Sequence, residues 1–187
     1  MTKEHEIIFA GFGGQGIMFA GQMLAYTAMD AGKEVTWIPS YGPEMRGGTA
    51  NCTVVIAEEE IGSPLAQFPP AVVVMNLPSL DKYESAVKPG GVLVVNASLV
   101  DRQVDRKDIT WVSLPCNDMA EETGDKKLAT IVATGALLEL LGVLKVEEVE
   151  TALKNHMPTR LQKYLPLNVE ALKRGVAYAR EHATRAA

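Results

Sequence analysis

The hydrophobic residues of this chain fall into short continuous runs that alternate with segments of helical period. The first run covers 6–10, a helical pattern covers 17–31, and a second apolar run covers 34–38. Short runs bounded by turn residues are typical of buried strands, whereas apolar residues three and four apart indicate a helix. Residues 6–38 are therefore predicted to form a strand-helix-strand unit in which Gly32 ends the helix. Such a unit normally crosses over right-handed and implies neighbouring parallel strands.

The rest of the chain continues this alternation. Further strands are predicted at 50–57, 71–76, 91–96 and 109–114, with a brief edge strand at 61–64. Helices are predicted at 78–87, from Asn117 or Asp118 onward, and at 128–141, 146–156 and 167–182. The runs at 71–76 and 91–96 lack polar alternation, as is typical of central parallel strands that are covered on both faces. The predicted fold class is α/β: an open, mostly parallel, Rossmann-like sheet with helices on both faces and a helical C-terminal cover.

Size and composition narrow the possible functions. Residues 1–187 are predicted to form a single domain, since cores of about 50 to 250 residues are usual. The net charge of −5 argues against a general binder of nucleic acid or anionic membrane. No apolar stretch reaches the roughly 18 residues of a membrane span, and the N-terminal residues lack a secretory apolar region. A cytoplasmic protein with protein or small-molecule partners is expected.

The cysteines and histidines do not suggest a metal site. Cys52 and Cys116 each lie beside a predicted strand and are expected to be buried as small hydrophobic residues. Two thiols cannot hold an iron–sulfur cluster, which needs about four. The histidines His5, His156 and His182 have no ligand spacing and are expected to face solvent.

A glycine-rich turn follows the first strand and carries the first candidate site. Its candidate residues are Gly11, Gly13, Gly14, Gln15 and Gly16. Glycine permits positive φ and close approach of a ligand, and a helix that starts here directs unpaired N–H groups into the gap. Two interpretations stay open: an anion site, or only a tight strand-to-helix turn. Dinucleotide binding is disfavoured, because the second strand ends in Pro39-Ser40 without the acidic residue that holds a ribose.

A loop of about ten residues follows the second strand and carries the remaining candidates. These are Tyr41, Glu44, Arg46, Gly47 and Gly48. Ligands of open α/β sheets collect at the carboxyl ends of the strands, so this loop and the glycine turn are expected to face one crevice. The planar guanidinium of Arg46 suits a phosphate or carboxylate. A solvated surface arginine is the alternative.

Together these segments resemble a known family. The turn 11–16, the loop 41–50 and the stretch 61–64 are similar to the gamma subunit of the 2-oxoacid:ferredoxin oxidoreductases, and the likeness spans essentially the whole chain. It implies a gamma-type catalytic domain over residues 1–187 of a complex that converts a 2-oxoacid to its acyl-coenzyme A and reduces ferredoxin. It also implies that thiamine diphosphate and the iron–sulfur clusters are held by partner subunits: alpha, beta and, where one is present, a ferredoxin-like delta.

On this resemblance the chain lines the crevice for coenzyme A and packs against its partners, with no catalytic residue of its own. The amino-acid sequence of the loop at 43–46 resembles the 2-oxoglutarate or branched-chain members of the family more than the pyruvate members. Two alternatives remain on the sequence: a free-standing domain that binds NAD or FAD, and a regulatory nucleotide-binding module. The candidate site residues would then contact a nucleotide instead.

Overall fold

The computed structural model describes residues 4–42, 48–62 and 67–186. The strands are β1 (His5–Phe12), β2 (Glu34–Tyr41), β3 (Thr49–Ala57), β4 (Ala71–Val74), β5 (Val92–Asn96) and β6 (Thr110–Leu114). The helices are α1 (Ile17–Asp30), α2 (Leu77–Tyr83), α3 (Cys116–Thr123), α4 (Ala129–Leu141), α5 (Val146–His156) and α6 (Leu165–His182). Short 3₁₀ segments lie at Glu84–Ala86, Lys126–Leu128 and Thr159–Tyr164. The predicted α/β class and the main predicted elements are confirmed.

The six strands form one mixed sheet in the order β2-β3-β1-β4-β5-β6. The three pairings from β1 through β4 and β5 to β6 are parallel, whereas β3 is antiparallel to both β1 and β2. The expectation that β1 and β2 are neighbours is therefore wrong. They run in the same direction, but β3 returns between them because the short connection after β2 forms a hairpin. The predicted edge strand at 61–64 is not found at Ile61 and Gly62, and its other two residues lie outside the described ranges.

The boundary between β1 and β4 is the point at which the strand order reverses. From β1 the chain passes through α1 to strands on one side, and it later returns to β4 on the other side. Helix α1 packs with the core on one face of the sheet, while Leu80 of α2 belongs to the core on the opposite face. In open α/β sheets such a switch point leaves a crevice beyond the carboxyl ends of the strands. The glycine turn lies at this crevice.

Helix α4 is buried between the sheet and α6, as its apolar residues on nearly every face predict. Ten consecutive residues of α4, from Ala129 to Leu138, are buried. The two helices approach closely through glycines: a Cβ on Gly135 would lie 2.0 Å from the Leu172 carbonyl oxygen, and one on Gly175 would lie 1.9 Å from that of Val132. This contact holds the C-terminal helices against the sheet.

The charged connection before β6 is held against α2 by hydrogen bonds. Arg102 Nη2 lies 2.7 Å from Glu84 Oε2, and Arg106 donates to the Glu84 and Val87 carbonyl oxygens at 2.9 and 3.1 Å. Arg106 thus satisfies carbonyl oxygens at the end of a helix, which is a favourable place for a cation, while Arg102 pairs with the Glu84 carboxylate. In the described parts of the chain, no helix combines the length and apolar character that a membrane crossing requires.

Candidate functional site

The glycine turn joins β1 to α1 at the switch point. Gly14 and Gly16 have φ of 97° and 83°, values that glycine adopts without steric cost. Gly16 is the N-terminal cap of α1, and it provides no side-chain acceptor for the first turn of the helix. The first N–H groups of a helix have no intrahelical partner and favour a negative charge. The turn therefore exposes backbone donors toward the crevice.

Gly11 and Gln15 have a packing role in this turn. A Cβ on Gly11 would lie 2.5 Å from Gln15 Oε1 and 3.1 Å from Met75 Cβ. The Phe12 N–H donates to Gln15 Oε1 at 2.6 Å, and Gln15 Nε2 donates to the Met75 carbonyl oxygen at 3.2 Å. Gln15 therefore links the ends of β1 and β4, and the missing side chain of Gly11 makes room for it.

The two ends of the connection between β2 and β3 are bonded to each other, and the second end is bonded to the glycine turn. The Gly13 N–H donates to the Gly48 carbonyl oxygen at 3.0 Å, and the Gly42 N–H donates to that of Thr49 at 2.8 Å. Because both ends of the loop are fixed here, its first and last residues share the edge of the sheet with the turn. Three predicted site residues of this loop, Glu44, Arg46 and Gly47, lie outside the described residues.

Tyr41 borders a cavity beside the glycine turn. The tyrosine is 55% exposed, and it lines a space of about 330 Å³ together with Gly13, Gly14 and Phe19. The structure therefore brings together the predicted residues of the turn, including Gln15, with Tyr41 and Gly48.

The start of α4 forms a part of the site that sequence reasoning missed. Thr130 Oγ1 donates to the Gln15 carbonyl oxygen, and a Cβ on Gly16 would lie 4.0 Å from the Lys127 carbonyl oxygen. Lys126 and Lys127 line a cavity of about 240 Å³ together with Gly14 of the turn. Two consecutive lysines directly before the most apolar helix are visible in the sequence, but their proximity to the turn depends on the tertiary packing of α4.

A larger cavity of about 400 Å³ continues from Gly14 toward the C-terminal helices. Its apolar lining includes Phe19, Leu161 and Tyr164, and Phe19 and Tyr164 are each 38% exposed. Exposed aromatic side chains around a cavity are typical of contact surfaces.

Both thiols lie away from solvent, as predicted. Cys52 and Cys116 are 0% exposed, and burial raises the pKa of Cys52 to about 11. Burial also raises the pKa of Cys116. Since the thiolate is the nucleophile and the metal ligand, neither group is activated for chemistry.

His156 has structural contacts that the sequence pattern does not reveal. Its ring stacks on that of Tyr26 with centroids 4.3 Å apart, and its Nε2 lies 2.8 Å from Asp30 Oδ1. These contacts join the end of α5 to α1. His156 nevertheless lies at an exposed position, as predicted, and 32% of its side chain is accessible to solvent.

The strand order also bears on dinucleotide binding. β3 separates β1 from β2, so the tip of β2 lies two strand spacings, about 10 Å, from the glycine turn. The last residues of that strand, Pro39 to Tyr41, carry no carboxylate. A ribose bound at the turn would lack the acidic partner that dinucleotide sites place on the adjacent strand.

A family model described as pyruvate ferredoxin/flavodoxin oxidoreductase matches residues 6–178. Among similar proteins, 2-oxoglutarate synthase subunit KorC of Methanocaldococcus jannaschii is 35% identical over 179 residues, which cover 94% of each chain. Ketoisovalerate oxidoreductase subunit VorA of Methanothermobacter marburgensis is 32% identical over 181 residues, which cover 96% of this chain. The chain spans only 37% of the length of that relative.

Two solved structures are also similar. The gamma subunit of a keto/oxoacid ferredoxin oxidoreductase from Geobacter sulfurreducens aligns with a TM-score of 0.80 at 31% identity, over 95% of this chain and 99% of that one. A 2-oxoglutarate:ferredoxin oxidoreductase from Magnetococcus marinus, solved with 2-oxoglutarate, coenzyme A and succinyl-CoA bound, aligns with a TM-score of 0.86 at 25% identity. That alignment covers all of this chain and 33% of the other.

Proposed function

This chain belongs to the pyruvate ferredoxin/flavodoxin oxidoreductase family, and from that membership we propose that it is the gamma-type subunit of a multi-subunit 2-oxoacid:ferredoxin oxidoreductase. The complex would oxidatively decarboxylate a 2-oxoacid to its acyl-coenzyme A and reduce ferredoxin. We propose 2-oxoglutarate as the substrate, because relatives named as 2-oxoglutarate synthase subunits match nearly the full length of both chains. A branched-chain 2-oxoacid is the alternative, since a ketoisovalerate subunit is also similar.

The role of this chain is to form one wall of the crevice through which coenzyme A approaches the reaction centre. The observation that carries this proposal is the hydrogen bond from Gly13 to Gly48, which holds the glycine turn and the base of the second loop together at the switch point. Backbone N–H groups at the start of α1 suit the phosphates of coenzyme A. Arg46, predicted from the sequence, would add a charge from the same loop.

A second role is packing against partner subunits. The partners would be the alpha and beta subunits and a ferredoxin-like delta subunit where one is present, assembled in the cytoplasm. The exposed side chains of Phe19, Tyr41 and Tyr164 lie around the cavities at Gly14. Aromatic residues are enriched where protein surfaces meet, which supports an interface on this side of the molecule.

The redox groups would belong to the partners. An iron–sulfur cluster needs about four thiolates, whereas the sequence has two cysteines, and both are fully buried. The residues of this chain therefore do not fit a cluster. We propose that thiamine diphosphate is likewise held by other subunits and that no residue of this chain transfers a proton or acts as a nucleophile.

Purification from the native cell through a tag on this chain tests the proposal. Mass spectrometry of the bound chains is expected to find thiamine-dependent and iron–sulfur subunits in fixed stoichiometry. A lone monomer that binds NADH with micromolar affinity would instead support the free-standing nucleotide domain.

Arg46→Ala tests the contribution of the second loop. The substitution is expected to lower coenzyme A turnover or assembly of the complex, because it removes the charged donor that the sequence predicts for the crevice. Arg185→Ala, at an exposed position near the C-terminus, is the matched control. Equal activity of the two variants and the wild type would remove Arg46 from the proposed site.

A further inference from the structure

The cavity of about 240 Å³ at the switch point has both apolar and polar lining, and its polar side chains are two amides and two lysines. Its lining residues are Gly14, Gln15, Met75, Asn117, Lys126, Lys127 and Ala129. Two of them are cations and none is a carboxylate. Hydrogen bonds around this space fix the orientation of both amide side chains, those of Gln15 and Asn117.

Asn117 is oriented by the fully buried Asn96. The Ser98 N–H, which can only donate, bonds to Asn96 Oδ1 at 3.2 Å, so the other amide atom of Asn96 is its NH₂ group. That group donates to Asn117 Oδ1 at 2.9 Å. The oxygen of Asn117 is therefore occupied, and its own NH₂ group remains available to the cavity.

A second set of hydrogen bonds joins the start of α3 to Ser98, which follows β5. The Asn117 N–H donates to Ser98 Oγ at 3.1 Å, and that hydroxyl donates to Asp118 Oδ2 at 3.0 Å. Asp118 does not line the cavity. The Asn117 backbone and side chain are thus both held by residues at the end of β5, which makes Asn96 a positioning residue.

Gln15 adds no acceptor to this space. Its oxygen accepts from Phe12 and its nitrogen donates to the Met75 carbonyl. Lys126 lies 2.7 Å from Glu121, whereas Lys127 makes no ion pair with any residue in the described ranges. Among the described groups, the NH₂ of Asn117 and the ammonium of Lys127 therefore remain for a ligand.

We propose that this cavity is an anion subsite for a phosphate or diphosphate group, with Asn117 and Lys127 as the contacting residues and Asn96 positioning Asn117. The proposal rests on the proposed function in one respect: the phosphate group belongs to the coenzyme A that would enter the same crevice. An available amide NH₂ and an ammonium group, in a lining without a carboxylate, favour a tetrahedral polyanion, because oxygen atoms of phosphate accept several hydrogen bonds at once.

Asn117→Asp is the most informative substitution for testing this subsite. The carboxylate retains an oxygen for Asn96 Nδ2 but replaces the available donor with a negative charge. Lys127→Gln is the second variant and removes the free cation. Gln103→Glu and Lys107→Gln, both at exposed positions in the connection before β6, are the matched controls for charge.

Binding of inorganic pyrophosphate to the purified chain is measured first, by calorimetry at low salt. Asn117→Asp and Lys127→Gln are each expected to weaken binding at least about tenfold, since a hydrogen bond to a charged group is lost. The controls are expected to remain within about twofold. Absence of pyrophosphate binding to the wild type, or binding that neither variant weakens, would overturn the subsite.

The complex purified through this chain distinguishes the source of the phosphate. In that complex, both variants are expected to raise the KM for coenzyme A and for dephospho-coenzyme A at least about tenfold, and to leave that for pantetheine unchanged. Equal effects on pantetheine would assign the residues to general assembly and would refute the phosphate contact. If no complex is recovered, the proposed function fails, while pyrophosphate binding still decides the subsite.

Discussion

Gln15 is predicted to stabilise the crevice by linking two strand ends. Gln15→Leu keeps the approximate volume of the side chain but removes both of its hydrogen bonds, at 2.6 Å to the Phe12 N–H and 3.2 Å to the Met75 carbonyl. A neutral hydrogen bond contributes about 1 kcal/mol on average, and groups left buried without a partner cost more. We therefore expect a loss of about 2 kcal/mol in the free energy of unfolding.

Thermal unfolding followed by circular dichroism measures this loss. For a chain of this length, about 2 kcal/mol corresponds to a fall in Tm of about 4–8 °C. Gln103→Leu, at an exposed glutamine outside the site, is the control and is expected to change stability by less than about 0.5 kcal/mol. Equal stability of both variants would refute the link between β1 and β4. A raised KM for coenzyme A without a fall in Tm would instead make Gln15 a ligand contact.

Three further predictions concern packing, charge and the thiols. Gly175→Ala is expected to cost about 3 kcal/mol or more in denaturant unfolding, because the new Cβ would lie 1.9 Å from the Val132 carbonyl oxygen; near wild-type stability would contradict the close contact of α4 and α6. Hydrogen bonds from His156 and Asn155 lower the pKa of Asp30, so its stabilisation is present above the unfolded pKa of about 4 and is lost as the pH falls through the folded value. Asp30→Asn should therefore cost up to about 1 kcal/mol at pH 7 and nothing near pH 2 in urea unfolding, and an equal cost at both pH values would contradict this reasoning. Neither Cys52 nor Cys116 is expected to react with a thiol reagent until guanidinium unfolds the chain, because both are buried; labelling of the native protein, followed by mass spectrometry, checks this.

Local patterns predicted most of the fold. The helix predicted at 146–156 coincides with α5 (Val146–His156), since its acidic first turn and the proline after it mark both ends. The strand predicted at 71–76 is found as the buried central strand β4 (Ala71–Val74), as its uninterrupted apolar residues indicated. These signals depend only on neighbouring residues in the chain.

The strand order could not be predicted from these local patterns. β3 pairs with β1 because the hairpin after β2 places β3 between β1 and β2. A run of apolar residues predicts a strand, but it does not show whether that strand runs parallel or antiparallel to its neighbours. The same limitation applies to the site. The glycine turn was visible as a motif, but Lys127 and Asn117 reach it only through the packing of α3 and α4 on the sheet. The stacking of His156 on Tyr26 joins residues 130 positions apart in sequence, which no spacing rule reports.

The most direct test of the account is an add-back assay of coenzyme A-dependent ferredoxin reduction with 2-oxoglutarate. A complex depleted of this chain is expected to lose activity and to regain it when the purified chain is added, while the purified chain alone remains inactive. Full activity of the depleted complex, or ferredoxin reduction by the chain alone, would contradict the claim that it serves as a structural and coenzyme-guiding subunit.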